Sequence, residues 1–125
     1  MSRRLRWMGI VLAATLWLPL VAQGAQPLQG GQENLPVIAV TELPVQARDT
    51  LRAIKQGGPY AYPRDGVVFN NFEQVLPERL RGYYHEYTVA TPGVLSRGVR
   101  RIISGAAAEF YYTADHYQTF KRILE

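Results

Sequence analysis

From Val67 to Ile123 the chain repeats one arrangement: short runs of β-branched and aromatic residues, each broken by glycine, proline or polar residues. The runs fall at Val67 to Phe69, Tyr84 to Val89, Val99 to Ser104, Phe110 to Tyr112 and Thr119 to Ile123. Thr91-Pro92-Gly93, Gly105 to Ala108 and Asp115-His116 separate the later ones. Strands this short, in succession and bounded by turn residues, predict an antiparallel meander. Val37 to Val40 adds a short apolar run that reads as an edge strand.

One helix precedes the meander. Thr41-Glu42-Leu43-Pro44 is expected to open it, with a threonine near its free amides and proline tolerated in the first turn. Ala47, Leu51 and Ile54 recur at spacings of four and three and mark one apolar face. Arg48, Arg52 and Lys55 fall largely outside that face, and Gly57-Gly58-Pro59 ends the helix. One N-terminal helix on a twisted antiparallel sheet is an α+β domain.

The N-terminus reads differently. Arg3, Arg4 and Arg6 precede an uncharged run from Trp7 to Val21, and Ala22-Gln23-Gly24 follows with small residues where a signal peptidase cuts. The run is short for a membrane span and Pro19 interrupts it, so residues 1–24 are expected to be a signal peptide, cleaved between Gly24 and Ala25. The mature protein is then secreted, with no membrane attachment. Residues 25–36 read as a flexible lead-in and 37–125 as one domain, expected to be monomeric.

Removing residues 1–24 takes three of 14 basic residues and none of 10 acidic ones, which leaves 11 against 10. Attraction for a polyanion therefore has to come from local clusters of arginine. With no cysteine and two histidines in the chain, neither disulfides nor a metal site or other cofactor is expected.

Three clusters carry chemistry. Glu86 lies in the run Tyr84-His85-Glu86-Tyr87-Thr88-Val89 and, by strand alternation, shares a face with Tyr84 and Thr88 while His85 turns away. Arg97, Arg100 and Arg101 follow, and then His116 set between Asp115 and Tyr117. RNA brings its own nucleophile, the 2′-hydroxyl. Its cleavage needs one group to remove that proton, one to protonate the leaving 5′-oxygen and fixed charge at the phosphorus oxygens. Carboxylate, imidazole and the planar guanidinium fork suit these tasks. A glycosidase using Glu73 and Glu86 as its carboxylate pair would leave His116 without a role. Taken alone, each of these residues also fits an exposed or ion-paired structural role, and a small RNA-binding domain remains an alternative.

The segments Asp65 to Pro77, Gly82 to Val89, Thr91 to Gly93, Arg97 to Ile102 and Tyr111 to Tyr117 resemble the bacterial guanyl-specific ribonucleases, the family of barnase and its streptomycete relatives. The resemblance runs from about Leu43 to Phe120, with the motifs in family order. It implies an endoribonuclease that cuts single-stranded RNA 3′ of guanosine through a 2′,3′-cyclic phosphate, later opened to a 3′-phosphate. By the same resemblance Glu86 is the general base and His116 the general acid, while Arg97 and Arg101 hold the phosphate with Tyr117 beside it. The loop Phe69, Asn70, Asn71, Phe72, Glu73 binds guanine: backbone around Asn70 to Phe72 reads the base oxygen and the Glu73 carboxylate takes the N–H groups. Relatives commonly carry arginine where this chain has Phe72. That change leaves a backbone contact intact but weakens the expectation of a barstar-like acidic inhibitor. Barnase's extra catalytic lysine has no evident counterpart here.

Overall fold

The computed structural model describes residues 34–125 and, before them, Ala14 alone. The expected signal peptide (apart from Ala14) and residues 25–33 of the lead-in lie outside the described residues. The elements run β1 (Val37–Ala39), a 3₁₀ turn (Val40–Glu42), α1 (Val45–Gln56), β2 (Val67–Phe69), β3 (Tyr84–Thr88), β4 (Arg101–Gly105), β5 (Phe110–Thr113) and β6 (Lys121–Leu124). Among the described residues, six strands form one sheet in the order β1-β6-β5-β4-β3-β2. The α+β expectation holds, with one change: the sheet is mixed. β2 to β6 pair antiparallel as a meander, but β1 lies parallel to β6, Ile38 opposite Ile123. A parallel neighbour needs a long crossover, and α1 with the whole meander supplies it. Leu35 already packs against the sheet, and the Pro36 carbonyl accepts the Arg122 amide at 2.8 Å.

The helix begins later than its sequence predicts and without a threonine cap. Leu43 stands before Pro44, which forces it out of helical conformation (φ −66°, ψ 146°). Val40–Glu42 therefore closes as a separate 3₁₀ turn, and α1 starts from Pro44 with no side-chain cap. The C-terminus is as expected. Gly57 is left-handed at φ 76°, its amide reaches Ile54 O at 3.1 Å and Gly58 N reaches Ala53 O at 2.9 Å, a Schellman closure. Ala47 and Leu51 are buried against Ile38, Val89, Ile102, Phe110, Tyr112 and Ile123, with Ile54 partly buried beside them. This is the larger core, between the helix and one face of the sheet.

The other face holds the candidate site. Residues directly opposite in neighbouring strands share a face. Thr88, Arg101 and Thr113 thus form one row and Val67, Glu86, Ile103 and Tyr111 the next. A second core of Leu76, Tyr84, Ile103, Tyr111 and Phe120 fills part of this face. The loop after β2 folds down over it through Leu76, which is fully buried. The polar row beside that core is left facing a cleft.

Candidate active site

Glu86 is the centre of the cleft and is only 8% exposed. Its Oε2 accepts the Tyr117 hydroxyl at 2.8 Å. Its Oε1 faces two guanidinium groups, Arg97 Nη2 at 3.4 Å and Arg64 Nε at 3.9 Å. A carboxylate buried this far is stable only with such partners. On the opposite side of the strand, His85 Nδ1 donates to the Gly66 carbonyl at 2.8 Å, so this histidine is a satisfied structural residue turned from the cleft.

The two arginines are held in different ways. Arg97 donates through Nε and Nη2 to Thr88 Oγ1, at 3.1 and 2.9 Å, and its side chain stays partly accessible. Arg101 is 2% exposed. Its Nη1 is bound by the carbonyls of Arg100 at 2.7 Å and Gly98 at 3.0 Å, and its Nε donates to the Tyr117 hydroxyl at 3.2 Å. Carbonyl dipoles satisfy its hydrogens without cancelling its charge, so Arg101 is a fixed cation under the cleft. Gly98 sits at φ 63°, and a Cβ there would come within 2.7 Å of Thr91 Oγ1. Glycine is what allows the chain to turn between the two arginines.

Tyr117 stands between Arg101 and Glu86. Burial, and then its bond to Glu86, pushes its phenol above the ordinary range, so it remains a neutral donor. Both His116 and Tyr117 are left-handed, at φ 56° and 72°. Two such consecutive non-glycine residues are costly, and the surrounding hydrogen bonds hold them. Thr113 Oγ1 accepts the Tyr117 amide at 3.1 Å and donates to Asp115 Oδ1 at 2.8 Å. Asp115 in turn accepts Thr119 N at 2.9 Å and Thr119 Oγ1 at 2.5 Å. These bonds, that of the Thr119 hydroxyl first, hold the Asp115 carboxyl below its usual range.

The cleft has a volume of about 300 Å³ and is lined by Arg64, Val68, Phe69, Asn70, Asn71, Phe72, Glu73, Val75, Glu86, Tyr117 and Phe120. The whole predicted base-binding loop therefore faces the same space as Glu86 and Tyr117. Asn71 braces this loop: its side chain donates to Leu76 O at 2.9 Å and accepts Leu76 N at 3.1 Å, with Asn71 at φ 51°. The amides of residues 70–73 make no backbone hydrogen bond among the described residues. They stay available to a ligand. Glu73 is exposed at the mouth of the cleft.

Of the residues singled out in the sequence, Glu86, Arg97, Arg101 and Tyr117 meet directly. Phe69 to Glu73 form the adjoining wall. His116 is set apart: it is exposed on the rim, its ring 4.8 Å from that of Tyr117, and it makes no bond to the other three among the described residues; like Arg97 and Arg101, it is outside the lining of the cleft itself. Two further residues belong to the site. Thr88 anchors Arg97, and its place on the Glu86 face already marked it. Arg64 reaches Glu86 from a turn tied down by Asp65, whose carboxylate accepts Tyr62 N at 3.2 Å and Thr88 N at 2.8 Å. In sequence Arg64 is only one charged residue in a proline-rich turn.

The family model of the ribonucleases matches residues 26–124. Guanyl-specific ribonuclease Sa3 of Kitasatospora aureofaciens is 56% identical over 87 residues, covering 69% of this chain and 62% of that protein. The chain thus spans less than two thirds of that relative. Guanyl-specific ribonuclease Sa of the same organism is 56% identical over 87 residues, 69% of this chain and 91% of that protein. Among solved structures, ribonuclease Sa2 in complexes with mononucleotides has a TM-score of 0.72 at 52% identity, covering 73% of this chain and 95% of its own. A second Sa2 structure, with guanosine-2′-cyclophosphate, has a TM-score of 0.69 at 52% identity, covering 72% and 96%.

Proposed function

As this chain belongs to the ribonuclease family, we propose that it is a guanyl-specific endoribonuclease that cleaves single-stranded RNA by internal transphosphorylation. The observation that carries the reading is Glu86, a buried carboxylate at the cleft on which Arg97, Arg64 and Tyr117 converge. Relatives named for guanyl specificity, at 56% identity, support the substrate class, as does the guanosine cyclophosphate seen with Sa2.

In this reading Glu86 takes the proton of the 2′-hydroxyl as O2′ attacks phosphorus. The P–O5′ bond breaks, and His116, as imidazolium, protonates the departing 5′-oxygen. A 2′,3′-cyclic phosphate results. Neutral His116 then draws a proton from water, whose oxygen attacks phosphorus; the P–O2′ bond breaks and Glu86 returns its proton to O2′, leaving a 3′-phosphate. Arg97 and the fixed charge of Arg101 stabilise the anionic oxygens, where preorganised donors act most strongly. Glu73 and the amides of Asn70 to Phe72 hold guanine, with Phe69 in the wall behind them. His116 on the rim suits a group that must reach a leaving nucleotide lying outside the cleft.

The domain, residues 37–125, is proposed to act as a secreted monomer after loss of residues 1–24. Sequencing the N-terminus of exported protein tests this, with Ala25 expected first. RNA is the partner. A barstar-like acidic inhibitor is the weaker expectation, because Phe72 lacks the charge that relatives commonly carry there.

Digestion of a defined RNA with analysis of the product ends tests the function. Fragments should end in guanosine with a 2′,3′-cyclic phosphate that converts to 3′-phosphate, and DNA of the same sequence should stay intact. Cleavage of DNA, or 5′-phosphate products, would rule out attack by the 2′-hydroxyl.

A further inference from the structure

Two arginines face the same oxygen of Glu86 from different segments. Arg97 Nη2 stands 3.4 Å from Oε1 and Arg64 Nε 3.9 Å from it. The supports of both lead back to one carboxylate, Asp65. In the register of β2 on β3, Val67 stands opposite Glu86, so one more pair on that face would set residue 65 opposite Thr88. The strand stops short of it. Gly66 N still bonds Glu86 O at 2.8 Å, but the Thr88 amide goes to the side chain of Asp65, to Oδ1 at 2.8 Å. The other oxygen, Oδ2, accepts Tyr62 N at 3.2 Å and closes the turn from which Arg64 leaves.

Thr88 carries the tie onward. Its carbonyl accepts the Thr50 hydroxyl of α1 at 3.2 Å, and its own Oγ1 accepts Arg97 Nε at 3.1 Å and Nη2 at 2.9 Å. Thr88 is buried, so its hydroxyl stays where its backbone is held. A carboxylate has two acceptor oxygens, and Asp65 gives one to each path. Asparagine has the same size but one acceptor, and would set its amide hydrogens against an N–H on one of the two. We propose that Asp65 is a positioning residue for the reaction: through Thr88 and the 62–65 turn, its carboxylate sets where the guanidinium groups of Arg97 and Arg64 stand over Glu86. This rests on the reading of Glu86 and Arg97 as reacting groups, and it gives a role to a side chain outside the cleft lining. Base binding has a separate brace, Asn71 on Leu76, so the two halves of the site are held independently.

That independence sets the test. Fixed charges stabilise a transition state only while they are preorganised, and a displacement of ~1 Å can cost about 100-fold. In the full-length chain, assayed well below the melting temperature of each variant, Asp65→Asn should lower kcat for GpC by about 10- to 100-fold and leave KM within about twofold. Thr88→Val, which keeps the backbone bond to Asp65 and removes the hydroxyl, should also lower kcat, and Thr88→Ser should restore it. In the Asp65→Asn background Thr88→Val should cost at least about threefold less than in the parent, because both cut the same path to Arg97. A parental kcat in Asp65→Asn, a loss confined to KM, or fully additive losses would overturn the assignment and leave Asp65 a structural residue of the turn. Should Asp65→Asn not fold, the serine and valine variants of Thr88 decide: equal kcat in the two would overturn it as well. A parent chain that leaves GpC intact would fail the ribonuclease reading instead.

Discussion

Tyr117 and Glu86 lie 31 residues apart in sequence and share a 2.8 Å hydrogen bond in which the phenol donates to Oε2. The same phenolic oxygen accepts Arg101 Nε at 3.2 Å. The phenol thus joins the buried cation to the carboxylate and fixes the free oxygen, Oε1, toward Arg97 and Arg64. Its raised pKa, caused first by burial, keeps the donated proton in place across the working range. Tyr117→Phe preserves the ring packing on Phe69 and removes only this link. A hydrogen bond to a charged group contributes about 1.5–3 kcal/mol to stability, so the melting temperature should fall by about 4–8 °C per kcal/mol lost. In parallel, kcat/KM for GpC should fall roughly tenfold as the carboxylate loses the donor that orients it. A dinucleotide assay beside a thermal melt checks both halves.

The proposed proton carriers sit in unlike settings, Glu86 buried in the cleft and His116 exposed on its rim. A base that must be deprotonated and an acid that must be protonated give a bell-shaped pH–rate profile. Glu86→Gln should abolish the acidic limb and His116→Gln the alkaline one, each with a loss on the order of 10²–10⁴ in rate. A full pH profile of each variant decides the assignment, and a variant with wild-type rate would show its residue to be misassigned.

Arg64 has its guanidinium 3.9 Å from Glu86 with its side chain 65% exposed, so it is free to turn toward an incoming phosphate. An exposed contact of this kind is worth ~1 kcal/mol. Arg64→Gln should therefore raise KM for RNA about fivefold and flatten the log–log salt dependence by about one unit. Titrating KM against salt concentration in both proteins measures the two effects together.

Asp115 organises the loop that carries His116 and Tyr117, and its pKa is lowered mainly by the Thr119 hydroxyl. A depressed carboxyl stabilises the fold above the unfolded pKa, and that contribution is lost as pH falls through the folded one. Asp115→Asn should cost about 1 kcal/mol at neutral pH. The cost should shrink as pH falls below about 4, where the parent loses the same charge. Melting curves of both proteins between pH 2 and pH 7 (about the range of the transition) test the convergence.

What the sequence made legible was what local pattern controls. The spacing of Ala47, Leu51 and Ile54 marked the buried face of α1, Gly57 its end, and strand alternation put Glu86 and Thr88 on one face with His85 on the other. Pairing between distant segments was not legible. The hydrophobicity of Val37 to Ala39 marks a strand but carries no information on direction, and only the crossover geometry sets it parallel to β6. The start of α1 differs from the one the sequence suggests because Pro44 acts on Leu43 before it, an effect that outweighs the cap residue. Arg64 was invisible as a site residue because a guanidinium in a turn looks alike whether it meets solvent or a carboxylate far along the chain. His116 and Tyr117 were found by motif, but their left-handed conformations depend on the bonds of Thr113 and Asp115, which no periodicity reveals.

Base choice should rest on Glu73. It lines the cleft together with Asn70, Asn71 and Phe72, whose amides make no backbone hydrogen bond among the described residues. Guanine presents two adjacent donors, N1–H and N2–H, beside the acceptor O6. A carboxylate with two acceptor oxygens takes both donors, and loop amides donate to O6. Adenine offers an acceptor at N1, which would face the carboxylate, and a donor where the amides need an acceptor. Each buried group left unsatisfied costs ~1–3 kcal/mol, enough for a strong preference for cleavage after guanosine. Replacing the carboxylate removes the discriminating group but touches neither Glu86 nor His116. Glu73→Ala should therefore reduce kcat/KM for GpC by about 100-fold, leave ApC within a few-fold of the parent, and keep the pH optimum in place. An equal loss on both dinucleotides would assign Glu73 to the shape of the loop and leave the choice of base to the backbone amides alone.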